Sequence, residues 1–121
     1  MAKNILIVDD SESIRELVGM TLETAGYHVS KGSDGRNALL LLDGRDIDLI
    51  ITDLNMPNMD GIEYLKEVRK SENYSSTPVL VLTTESQQSK KDEAKASGAT
   101  GWIVKPFSPE KLLEIVKKVI R

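Results

Sequence analysis

The sequence predicts an α/β fold: a parallel sheet of five strands, doubly wound between two layers of helix. Short continuous apolar runs recur along the chain, and amphipathic stretches of helical period fall between them. No internal repeat, low-complexity tract or long linker interrupts the alternation. An apolar run that does not alternate suits a strand covered on both faces, as parallel sheets require. Short βα connections then demand right-handed crossovers.

Ile5-Leu6-Ile7-Val8 reads as the first strand. A helix follows, with Ile14, Leu17, Val18, Thr21, Leu22 and Ala25 on one face. Ser13 and Glu16 have the spacing of a capping box at its start, and Gly26 is a C-terminal stop. Tyr27–Ser30 is a weaker second strand, and residues 38–42 form a helix ending near Gly44. Leu49-Ile50-Ile51 is the third strand. Asp60 and Glu63 cap the next helix, whose Ile62, Leu65 and Val68 point inward. Val79-Leu80-Val81-Leu82 is the fourth strand. The stretch 87–97 offers only Ala94 and Ala96 to a core, so its helix is weakly anchored. Trp102–Val104 is the last strand. Ser108-Pro109 then starts a helix carrying Leu112, Ile115, Val116, Val119 and Ile120 at helical spacing.

Composition narrows the function classes. A chain of 121 residues, 40% hydrophobic and 29% charged, is expected to fold as one soluble domain spanning 1–121. No apolar run approaches a membrane span, and the N-terminal run ends in two aspartates rather than a cleavage site. There is no cysteine, so there is no disulfide framework or thiol chemistry, which fits a cytoplasmic location. A formal net charge of −3 gives no reason to expect nucleic-acid binding.

The chemistry is expected where the strands end, because open α/β sheets place their sites beyond the carboxyl ends of the strands. Asp9 and Asp10 follow the first strand, Asp53 and Asn55 the third, Thr83 and Thr84 the fourth, and Lys105-Pro106 the fifth. Three crowded carboxylates repel one another, and one lysine cannot neutralise them. A hard dication bound through oxygen can, with Mg²⁺ the best candidate and Mn²⁺ a second. Zinc is disfavoured: the single histidine, His28, lies in a strand away from the cluster. A dication, an ammonium and a hydroxyl meet the needs of phosphoryl transfer, which rests on positioning and electrostatics. An aspartate can be the nucleophile, forming an acyl phosphate.

Taken together, Asp9-Asp10, Asp53, Thr83 and Lys105-Pro106-Phe107 resemble the receiver domain of two-component response regulators over essentially the whole chain. The resemblance is nearest to stand-alone CheY-type chemotaxis regulators, which have no fused output domain. It implies a flavodoxin-like (βα)5 sandwich with strand order 2-1-3-4-5. It implies Asp53 as phosphoacceptor, and Asp10, Asp53 and the Asn55 backbone carbonyl as metal ligands. Asp9 would act through a metal-bound water. Thr83 would bond the phosphoryl group. Lys105 would pair with Asp53 first and with a phosphoryl oxygen afterwards. The Lys105–Pro106 bond would be cis. Asn55, Thr84 and Glu85 would tune hydrolysis or face partners. Trp102 stands where the family often has a switching tyrosine, although a single large aromatic on a short strand more often simply packs. The implied partners are a histidine kinase, an output protein such as a flagellar motor component, and a phosphatase, with neither nucleic acid nor membrane involved. The chain would assist its own phosphorylation and dephosphorylation without being an enzyme on a separate substrate.

Two other readings stay open at this level. One is a Mg²⁺-dependent aspartyl-phosphate phosphohydrolase. Such enzymes usually have a second acid two positions after the nucleophile, where this chain has Asn55. The other is an interaction module that works without phosphorylation.

Overall fold

The computed structural model describes residues 2–84 and 86–120. Among them strands and helices alternate strictly: β1 (Asn4–Val8), α1 (Glu12–Thr24), β2 (His28–Gly32), α2 (Gly35–Leu40), β3 (Leu49–Thr52), α3 (Gly61–Lys70), β4 (Val79–Thr83), α4 (Gln88–Ala96), β5 (Gly101–Val104) and α5 (Pro109–Val119). All neighbouring strands are parallel, in the order β2-β1-β3-β4-β5. This is the flavodoxin-like order that the resemblance implies.

The apolar runs are continuous because each strand feeds two cores. Ile5, Ile7, Leu49, Ile51, Leu80 and Leu82 pack with Val18 and Leu22 of α1 and with Leu112 and Val116 of α5. Leu6, Val8, Ile50 and Val79 point the other way, onto Ala38 of α2 and Tyr64, Leu65 and Val68 of α3. A third, smaller cluster joins Leu54, Ile62 and Val81 to Ala94 of α4. Arg69, near the end of α3, donates from Nη2 to the Gly98 carbonyl at 2.7 Å and from Nη1 to that of Thr77 at 2.7 Å. It thereby ties the far end of α4 to its neighbours.

Some local expectations need correction. The N-cap of α1 is Ser11, whose side chain accepts from the Ile14 amide at 3.4 Å, and not Ser13 in a box with Glu16. Ser13 already has helical backbone and so cannot cap. Leu17 and Ala25, read as inward, are exposed, because the buried stripe narrows to Val18, Gly19 and Leu22. Asp34 caps α2 by accepting from the Asn37 amide at 2.7 Å, which starts that helix at Gly35, before the apolar stretch. In α4 only Ala94 is buried, and Ala96 faces outward.

Candidate functional site

Parallel strands bring their carboxyl ends to one edge, and the helices switch faces between β1 and β3, opening a crevice there. Asp9 and Asp10 leave β1 and Asp53 leaves β3. Between them the Asp53 amide donates to the Val8 carbonyl at 2.8 Å, so the ladder itself sets the two acidic turns side by side. Carboxylate oxygens of Asp9, Asp10 and Asp53 all lie within 4.8 Å of one another. Asp9 and Asp53 are buried, whereas Asp10 is exposed.

Lys105, carried in by β5, closes the site from the far side, and its peptide bond to Pro106 is cis. Its Nζ lies 2.8 Å from Asp9 Oδ2 and 3.4 Å from Asp53 Oδ2. The expected Lys105–Asp53 pair is therefore the longer arm of a shared bridge, with Asp9 the nearer partner. Thr83, wholly buried at the end of β4, brings its hydroxyl to the Asp53 side of the site, where it favours the ionised carboxylate. The Leu54 amide donates to Asp53 Oδ1 at 2.7 Å. Burial above all, and then the charge of Asp9, raise the pKa of Asp53 above its usual value. Lys105, the Leu54 N–H and Thr83 pull it down and do not fully offset that rise.

Asn55 and Thr84 are exposed at the rim. Trp102 is half-buried, aligned with Val81, and packs on the cluster containing Leu54, Ile62 and Ala94. Its indole nitrogen is buried without a hydrogen-bond partner. Glu85 lies outside the described residues. His28 is exposed at the start of β2, at the opposite edge of the sheet.

Residues 5–117 match the model of the response regulator receiver domain. The chain belongs to the receiver family. This receiver chain is 40% identical over 116 residues to the chemotaxis protein CheY-3 of Vibrio cholerae, covering 95% of the chain and 89% of the relative. It also resembles the solved chemotaxis protein CheY4 of V. cholerae, with 50% identity, a TM-score of 0.95, and 99% and 100% of the two chains covered. A further neighbour is the receiver domain of a sensor histidine kinase from Pseudomonas aeruginosa, at 26% identity and a TM-score of 0.90, with 98% of each chain covered. That neighbour holds a magnesium ion coordinated in its active-site cleft.

Two contacts in this receiver escaped the sequence reading. The Ser11 amide donates to Asp9 Oδ1 at 2.9 Å, and Arg15 Nη1 donates to the Asp9 carbonyl at 2.6 Å. Asp9 is thus held by its side chain and its backbone at once. A faint signal existed, since Arg15 sits four residues after the capping Ser11 and so on the same helix face. The donor set fits a hard dication: it is all oxygen, mostly anionic, and one member is open to solvent.

Proposed function

We propose that residues 1–121 work as one response regulator unit that takes a phosphoryl group from a histidine kinase onto Asp53 and signals by phosphorylation-dependent partner binding, in chemotaxis. What carries this reading is the convergence of three carboxylates with the Lys105 ammonium and the Thr83 hydroxyl on one crevice. The chemotaxis context is supported by the likeness to CheY-3 and CheY4.

A carboxylate oxygen of Asp53 attacks the phosphorus of a phosphohistidine. The phosphorus–nitrogen bond breaks, and its electron pair stays with the departing imidazole of the kinase. Lys105 exchanges its hold on the carboxylate for a phosphoryl oxygen, and the Thr83 hydroxyl bonds another. Asp10, Asp53 and the Asn55 carbonyl would hold Mg²⁺, with Asp9 acting through a bound water. The ion would supply charge neutralisation for the acidic cluster and the transferred group. Once it carries the acyl phosphate, Asp53 recruits Thr83 and Lys105 away from their resting contacts. That biases the segment around Thr84, α4 and Trp102, which a motor component, another output protein or a phosphatase can read. The chain promotes its own phosphorylation and hydrolysis and turns over no separate substrate.

Acetyl phosphate with Mg²⁺ tests this directly. Intact mass should rise by one phosphoryl group in the native chain, and should not rise in Asp53→Asn or without the metal. Trp102 fluorescence should change together with the mass. Continued turnover of phosphate esters beyond one equivalent would overturn the reading in favour of a hydrolase.

A further inference from the structure

The loop from β3 to α3 carries Asn55, whose carbonyl the proposed function gives to the metal, and the inference rests on that reading. At its base the loop is closed by the Gly61 amide, which donates to the Leu54 carbonyl at 2.7 Å. A side chain at Gly61 would collide with the Asp53 carbonyl, so the closure needs glycine.

The tip is fastened elsewhere. Asn58 adopts a left-handed backbone, at φ 69°, and its Nδ2 donates to Asp34 Oδ2 at 3.1 Å. The other oxygen of Asp34 caps α2. One carboxylate therefore divides its two oxygens between a helix start and the loop. Those hydrogen bonds, the Asn37 amide first and Asn58 next, hold its pKa below the usual value and keep it an ionised acceptor. The next loop residue, Met59, lies flat against α2. A Cβ at Gly35 would come within 2.6 Å of the Met59 carbonyl oxygen and 2.8 Å of its side chain. Two neighbouring residues of the tip thus register on the N-cap and the first residue of α2.

We propose that Asp34 and Asn58 are positioning residues for the metal site, pinning the tip of the 54–61 loop to α2 so that the Asn55 carbonyl stays in place. A backbone ligand has no rotamer of its own; its placement is that of its loop. Partners that orient metal ligands typically change affinity about 10- to 100-fold when removed. This hydrogen bond is exposed and acts three residues from the ligand, so a loss of about threefold to tenfold is expected.

The test uses Mg²⁺ alone, titrated by calorimetry without any phosphodonor. Asp34→Ser keeps a helix cap but is too short to reach Asn58. Asn58→Gly keeps the left-handed backbone and removes the amide. Each variant should bind Mg²⁺ about threefold to tenfold more weakly. The double variant should be no weaker than the worse single, because both remove the same contact. In metal-free protein, amide exchange at Met59 and Gly61 should quicken in both. Native-like Mg²⁺ affinity in both singles, or losses that multiply in the double, overturns the inference and leaves the metal reading standing. A native chain that takes up no Mg²⁺ overturns the metal reading and this inference with it.

Discussion

α3 and α4 flank the same crevice and follow the strands that bring in Asp53 and Thr83, yet they are built to opposite standards. α3 opens with a reciprocal capping box between Asp60 and Glu63 and buries Gly61, Ile62, Tyr64, Leu65 and Val68. α4 opens at Gln87 without a side-chain cap bond and buries Ala94 alone. A buried leucine contributes about 2 kcal/mol where an alanine methyl contributes less than half of that. The Asp53 side of the site is therefore anchored and the threonine side compliant. A displacement at this crevice would meet less resistance along α4 than along α3.

The contrast can be broken most forcefully at Leu65. Leu65→Ala should lower the unfolding free energy by about 3 kcal/mol, read as a shifted urea midpoint with unchanged slope. Ala94→Gly removes a buried methyl and adds backbone freedom, for about 1 to 2 kcal/mol. Its effect should be concentrated in amide exchange across residues 88–96, while exchange in α3 stays near native. Uniform acceleration over both helices would refute the compliance of α4. Asp60→Ala should cost about 1 kcal/mol through loss of the capping box, seen as faster exchange at the first amides of α3.

The smallest expected effect sharpens the comparison from the other direction. The anchored side carries an unfavourable charge, since burial and Asp9 raise the pKa of Asp53. Without metal, Asp53→Asn should stabilise the fold at neutral pH by about 0.5 to 1 kcal/mol. The folded native chain keeps that proton to higher pH than the unfolded chain, whose value is near 3.8. The carboxyl's contribution to folding is thus complete below 3.8 and is lost as pH rises through the raised value. The advantage of the variant should shrink as pH falls through that window, which paired melts from neutral to acid pH will show.

Much of this was legible because the strongest signals were local. Ile5–Val8 and Val79–Leu82 announce buried parallel strands by being apolar at every position, and Ser108-Pro109 marks a helix start by its chemistry. The convergence of Asp9, Asp53 and Lys105 followed from one topological rule about strand ends. What stayed hidden depends on three-dimensional neighbours. Ser13 with Glu16 had capping spacing, but backbone geometry gave the cap to Ser11. Nothing in the spacing shows that Lys105 sits nearer Asp9 than Asp53, because that turns on differences of tenths of an ångström. The Asp34–Asn58 contact joins residues 24 positions apart and carries no periodic signature.

The clasp of Arg69 on the Gly98 carbonyl has a mechanical consequence. It fixes α4 at the end remote from the acidic crevice and leaves the crevice end held more lightly. Nine helical residues make a lever arm of about 13 Å. A tilt of about ten degrees around that pivot sweeps the free end by roughly 2 Å and leaves the fulcrum still. Any such tilt is therefore expressed at the crevice end of α4 and not at Gly98.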